Sequence, residues 1–376
     1  MLRLAVVLAF WTTVVPLLEQ EARAQSYTEV TLQQLTYADG AYPYPGVLDK
    51  GGNLYTATQY GGAYGYGTVL EVSSKDKATV LYNFTGGSDG ADPHAGVVAD
   101  SSGNLYGTAF YGGANGAGVV FELSGGTETV LHAFAGPDGA NPTAVLTRTS
   151  AGVIYGTTPY GGTSGKGVIF EISGGVETVL HNFSGGSDGG VPISSLLMKG
   201  GFLYGVAYSG GTDGAGTVFK YDIHTGTLTT LYSFTGGADG ANPVDRVSRN
   251  SSGTLFGTTR YGGTYGQGTV FSLDEAGTET VIYSFTGGAD GAQPLSGVVL
   301  DESGNMYGSA WQGGAGYGVI FELTPSGSET VLHTFSNGSD GSLPEGAVTR
   351  DSKGNLYGNT YEGGAYGYGA VYKLIP

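Results

Sequence analysis

The sequence predicts an all-β fold: a seven-bladed β-propeller of four-stranded blades, its ring closed by an N-terminal strand that completes the last blade. Three observations predict it. One unit recurs seven times at a period near 50 residues, each unit holds four short β-rich runs, and the two ends of the chain complement each other in mid-unit.

The repeat is marked by Asn-Leu-Tyr and its variants, which begin at Asn53, Asn104, Val153, Phe202, Thr254, Asn305 and Asn355. Successive spacings are 51, 49, 49, 52, 51 and 50. In the second unit the apolar run Gly96-Val97-Val98-Ala99 meets the turn Asp100-Ser101-Ser102-Gly103, and Asn104-Leu105-Tyr106-Gly107-Thr108 follows. A glycine loop from Tyr111 to Gly118 leads to Val119-Val120-Phe121-Glu122-Leu123, a Ser-Gly-Gly turn, and Thr129-Val130-Leu131-His132-Ala133-Phe134. These runs are strands bounded by Gly, Ser and Asp turns, with no helical period. Runs such as Val168-Ile169-Phe170 and Val319-Ile320-Phe321 are apolar on both faces, so both faces need cover. Stacked four-stranded sheets supply it, as in propeller blades. A parallel β-helix is the structural rival, but its coils are shorter and lack hairpin turns.

The chain opens on a fourth run (27–36) followed by Asp39-Gly40, and it stops in a third run, Ala370-Val371-Tyr372-Lys373-Leu374. The first run therefore supplies the last unit's missing strand, giving one domain over 27–376. An open solenoid would need distinct caps, and a closed ring needs none.

Composition narrows the function classes. Gly makes up 72 of 376 residues, without a Gly-X-Y period, and 40% of the chain is apolar, which excludes collagen and a disordered linker. With no Cys there is no disulfide framework or thiolate metal site. A formal charge of −17 is the reverse of what phosphate neutralisation needs, so nucleic acid is not an expected partner. Arg3, the mostly apolar stretch 4–18 and Ala22-Arg23-Ala24 read as a secretory signal peptide (1–24) cut near Ala24. The stretch is too short to span a bilayer and no second apolar run follows, so no membrane span is expected. The predicted localisation is secreted or cell envelope.

The phrases Tyr-Gly-Gly-x-x-Gly-x-Gly-x-Val-Phe-Glu-Leu and Phe-Thr-Gly-Gly-Ser-Asp-Gly-Ala-Asp-Pro resemble the choice-of-anchor tandem-repeat GloVer family of bacterial exported proteins. The resemblance runs over residues 27–376 and recurs in every unit. It implies an extracellular or envelope repeat protein and carries no catalytic residues. Members often append an anchoring tail, whereas this chain ends at Pro376 inside its last blade, which favours release or passive association.

Among repeated residues, Asp-Gly follows the fourth run in every unit, at Asp39, Asp89, Asp138, Asp188, Asp239, Asp290 and Asp340, with Pro three residues beyond the Gly. These carboxylates either cap a turn or, in the sharper reading, form calcium sites at Asp89, Asp138, Asp188, Asp239, Asp290 and Asp340. Calcium wants six to eight oxygens, more than each loop provides, so no cofactor is required. His132, His181 and His333 share the slot that holds Tyr82, Tyr232 and Tyr283 elsewhere, which points to a packed aromatic at the rim rather than a metal centre.

The glycine loop is expected on the same face as the Asp-Gly loop. Its aromatics Tyr60, Tyr111, Tyr160, Tyr261, Trp311 and Tyr361 either pack between blades or stack on sugar rings. Residues that break the repeat are the stronger leads. Just after the repeated Pro stand Tyr44, His94, Thr143, Ile193, Val244, Leu295 and Glu345, expected to line the channel. His94, Asp245, Arg246, Arg260 and Glu345 are the candidate catalytic set, placed to converge at one channel mouth. The leading function is recognition of an extracellular polysaccharide or surface glycan. One alternative is a lyase or hydrolase acting on uronate-containing glycans, and another is a structural or adhesive envelope protein with protein partners.

Overall fold

The computed structural model describes residues 26–376 apart from 50, 74 and 76; the expected signal peptide and its cleavage site lie outside them. The described residues form seven antiparallel sheets and contain no helix. Each sheet is one repeat, numbered here as blades 1 to 7 in chain order. Blade 2 is representative: Val98–Ala99 lies innermost, followed in hydrogen-bonded order by Leu105–Ala109, Val119–Ser124 and Thr127–Ala133. Blade 7 is completed by Thr28–Gln34, which pairs antiparallel with Ala370–Ile375 from Thr28 opposite Ile375 to Gln34 opposite Ala370. The ring is thus closed by β-pairing between the two ends of the domain, as the mid-unit termini predicted. A register slip at Leu32 matches the slip at Leu131 in blade 2 and at the same slot elsewhere, so this strand is a true fourth run.

What joins the blades is an aromatic wedge. Phe84 closing blade 1 meets the ring of Phe121 in blade 2 at 5.2 Å, near edge-on, and five further junctions repeat the contact. Every one of these rings is fully buried, or nearly so, and burying such a side chain contributes about 1.5–3 kcal/mol. The wedge explains one repeated glycine. Gly107 pairs across the sheet with Phe121, and a Cβ there would lie 2.6 Å from Phe121 Cζ. Gly faces Phe or Tyr in six blades. In blade 1 both partners change together, to Thr56 opposite Leu70, and Leu35 replaces the incoming Phe.

A second joint lies nearer the channel. The last glycine of each glycine loop sits under the Pro of the next blade, so that a Cβ on Gly67 would lie 2.7 Å from Pro93 Cδ. The residue before that Pro is left-handed in all seven blades, including the bulky Val191 (φ 56°) and Leu343 (φ 58°). Its backbone N–H reaches the preceding blade's loop, as Val191 N does to Lys166 O at 2.8 Å. A conformation costing on the order of 1 kcal/mol or more for such residues is held by these hydrogen bonds.

Candidate functional site

The inner strands place Tyr44, His94, Thr143, Ile193, Val244, Leu295 and Glu345 around one cavity of 280 Å³, one residue from each blade. The slot just after the repeated Pro is therefore the channel lining. Asp245 and Arg260 open onto the same cavity, as does Tyr208. Arg246 does not: it is exposed and borders a second cavity of 270 Å³, lined mainly by aliphatic side chains. Asp245 separates the two. Its backbone is left-handed (φ 52°), the strand register slips between Val244 and Ser248, and its carboxylate accepts a hydrogen bond from Gly297 N of the next blade at 3.0 Å. Four of the five candidate catalytic residues thus come together, and the kink at Asp245 sends the fifth elsewhere.

Above the cavity the aromatic side chains form two stacks. Tyr44, His94 and Phe110 lie nearly parallel, with ring centroids 5.5 and 4.4 Å apart, and Tyr111 stands edge-on to Phe110. Tyr361 and Tyr42 form the second stack, at 4.7 Å, with Trp311 tilted by 50° against Tyr361 at 5.6 Å and Tyr60 edge-on to Tyr42. Buried Gln59 ties the two together. Its amide nitrogen donates to Tyr60 Oη at 3.1 Å and to His94 Nε2 at 3.0 Å, while its oxygen accepts from Tyr361 at 2.9 Å. The Arg260 guanidinium lies over the Tyr261 ring at 5.1 Å. Tyr111 and Tyr160 are both about half exposed.

Electrostatics follow from burial. Burial lowers His94 to about 4, so its ring is neutral at neutral pH. Burial pushes Glu345 up to about 7, against the pull of the Arg260 guanidinium, and raises Asp92 to about 6. Tyr44 is pushed well above the ordinary tyrosine value, first by burial and then by Glu345. Two polar atoms of the lining, Thr143 Oγ1 and Arg260 Nε, are buried and have no hydrogen-bond partner in the protein. Such groups retain unspent bonding capacity.

The slot immediately before the loop's leading tyrosine adds Gln59, Phe110 and Tyr208, none of them a candidate on sequence, to Arg260, Trp311 and Tyr361, which were. Successive residues of a strand point to opposite sides, so this slot and the tyrosine slot diverge. The signal was present in the sequence, since the tyrosine slot repeats and the preceding slot differs in nearly every unit.

At the rim, the Asp-Gly carboxylates cap their own loops. Asp89 accepts from Thr85 N at 2.8 Å, Thr85 Oγ1 at 2.6 Å, Gly87 N at 3.2 Å and Tyr82 Oη at 3.0 Å, and Asp239 and Asp290 are bonded in similar ways. His132, His181 and His333 approach Asp138, Asp188 and Asp340 at 2.9, 3.1 and 3.2 Å. The geometry of these aspartates is that of capped turns. The glycine loops share their face: Gly113 N donates to Gly87 O at 3.0 Å.

Among solved structures, TolB from Acinetobacter baumannii is similar at 14% identity over 69% of this chain, with a TM-score of 0.44, and the chain spans 58% of its length. A candidate 6-phosphogluconolactonase from Bacteroides uniformis shares 16% identity over 77% of this chain and 83% of its own, with a TM-score of 0.51. A candidate gluconolactonase shares 12% identity over 93% and 92%, with a TM-score of 0.46. At 16% identity the second of these likenesses is one of fold alone. No curated protein matches the sequence. No helix of the described residues is long and apolar enough to cross a membrane. The model of the Gloeobacter/Verrucomicrobia repeat matches residues 21–216, 124–316 and 193–376, overlapping along nearly the whole chain, and the protein belongs to that repeat family.

Proposed function

We propose that this protein is an exported binding propeller that takes an extracellular glycan at the aromatic mouth of its channel. The observation that carries the reading is the make-up of that mouth. Two aromatic stacks stand beside a cavity holding Arg260, Glu345 and two buried polar atoms without partners. A sugar ring offers an apolar C–H face to an aromatic plane and a rim of hydroxyls to such polar groups. The ring closure contributes rigidity, so little ordering is spent on binding. The reading includes export with removal of residues 1–24.

The test is a screen of the mature protein against plant, algal and bacterial glycans, followed by titration calorimetry on any ligand retained. Trp311→Ala and Tyr361→Ala should each weaken binding about tenfold or more, the loss expected for one stacking partner and its buried area. A blank screen, or binding that both variants leave intact, would overturn the reading. New ultraviolet absorbance from uronate polymers would make the mouth a lyase site instead, with Glu345 rather than His94 as base, because Gln59 occupies His94 Nε2.

A further inference from the structure

The outer strand of a blade lies against the Asp-Gly loop of the blade before it: Thr31 Oγ1 of blade 7 donates to Ser339 O at 3.3 Å, and Thr230 Oγ1 of blade 4 donates to Ser187 O at 2.9 Å. Four of these strands place a glutamate against that loop, at Glu128, Glu177, Glu279 and Glu329, and in each the Oε1 atom is buried with no hydrogen-bond partner. The repeat therefore leaves a carboxylate oxygen unspent at four junctions. At the junction of blades 2 and 3 two other departures from the repeat coincide with it.

The first departure is the imidazole. His132 stands where blades 1, 4 and 5 have tyrosine, and its Nε2 lies 2.9 Å from Asp138 Oδ2. The second is a missing hydroxyl. In the other six units the residue at the head of the loop is Thr36, Thr85, Ser184, Thr235, Thr286 or Ser336, and its hydroxyl donates to the loop aspartate. In blade 2 it is Ala135, which offers only its N–H, at 2.8 Å. Asp138 thus keeps acceptor capacity that its counterparts spend. Imidazole, Asp138 and Glu177 ligand atoms all lie within 4.8 Å of one another, a spacing that no other three-residue His, Asp and Glu group among the described residues attains. The two other junctions with histidine lack the set: blade 4 carries Leu228 in the glutamate slot, and Glu29 of blade 7 accepts from Thr31 at 3.0 Å.

We propose that His132, Asp138 and Glu177 form a site for one divalent cation of the zinc type that clamps blade 2 to blade 3. One imidazole nitrogen and two carboxylates suit zinc, whose fourth position a water fills, whereas calcium takes oxygen ligands in larger number. The ring of His132 is already braced edge-on against buried Phe134 at 4.8 Å. The cation would satisfy Glu177 Oε1 and the spare capacity of Asp138 together, and it would bridge two outer strands whose backbones are not hydrogen-bonded to each other.

Zinc titrated into chelator-stripped mature protein, followed by calorimetry and by thermal unfolding, tests this. The wild-type chain should take up one zinc and unfold at a higher temperature in its presence, while calcium leaves the transition unmoved. His132→Tyr installs the residue that this slot holds in three other blades, so the fold is kept, and it should abolish both uptake and shift. Ala135→Thr restores the missing hydroxyl and should weaken uptake about tenfold or more. No uptake by the wild-type chain, uptake unchanged in His132→Tyr, or an equal shift with calcium would each overturn the proposal.

Discussion

The wedge between blades and the mouth of the channel are built on opposite rules. At six of the seven junctions the same residues recur: a buried Phe from one blade against Phe or Tyr of the next, above a glycine that clears the ring. In the slot that lines the channel no two blades agree: Tyr44, His94, Thr143, Ile193, Val244, Leu295 and Glu345 occupy equivalent positions. Identity of slot is what a shared packing task requires, because each junction must fill the same volume at the density of a protein interior. Difference of slot is what an asymmetric ligand requires, because seven equivalent walls can match only a seven-fold object.

That contrast can be broken at its strong end first. Phe170→Ala, at the junction of blades 2 and 3, should cost about 3–5 kcal/mol of stability by denaturant unfolding, since Phe170 is fully buried against Phe134. Ligand affinity of the folded fraction should stay at its wild-type value. A drop in affinity as large as that from a mouth substitution would erase the division between the two regions.

The division also separates what was legible in the sequence from what was not. The blade count, the four strands and the closing strand follow from local signals, namely turn residues at a fixed offset and apolar runs at a fixed spacing. Even the channel ring was legible, because the repeated Pro sets one register for all seven inner strands. Arg246 was not: a left-handed Asp245 turns the strand, and aspartate, which enters that conformation only occasionally, marks it far less than a glycine would. Nor were contacts between neighbouring blades. Glu177 and Asp138 meet 39 residues apart in the chain, and strand patterning speaks only of partners within a sheet.

A smaller effect sharpens the picture of the rim. At the three remaining junctions with an unpaired glutamate, burial and then the facing aspartate push Glu128, Glu279 and Glu329 up to about 7. An acid whose value rises on folding favours the folded state while it is protonated. Its contribution is complete below the ordinary glutamate value of 4.5 and is lost as pH climbs through about 7. Thermal unfolding in chelator should therefore move to lower temperature between pH 5 and pH 8. The triple variant Glu128→Gln, Glu279→Gln, Glu329→Gln should flatten that slope, and an unchanged slope would place its origin elsewhere.

The direct test of the central claim, that the residues breaking the repeat hold the ligand, is calorimetric titration of one retained glycan into three proteins. These are the wild-type chain, Trp311→Ala at the mouth, and Tyr160→Ala, whose tyrosine belongs to the repeated slot and stands about half exposed. The predicted result is a loss of about tenfold or more in Trp311→Ala and an affinity within twofold of wild type in Tyr160→Ala. Equal losses, or a loss confined to Tyr160→Ala, would contradict it and move the ligand from the channel to the repeated face.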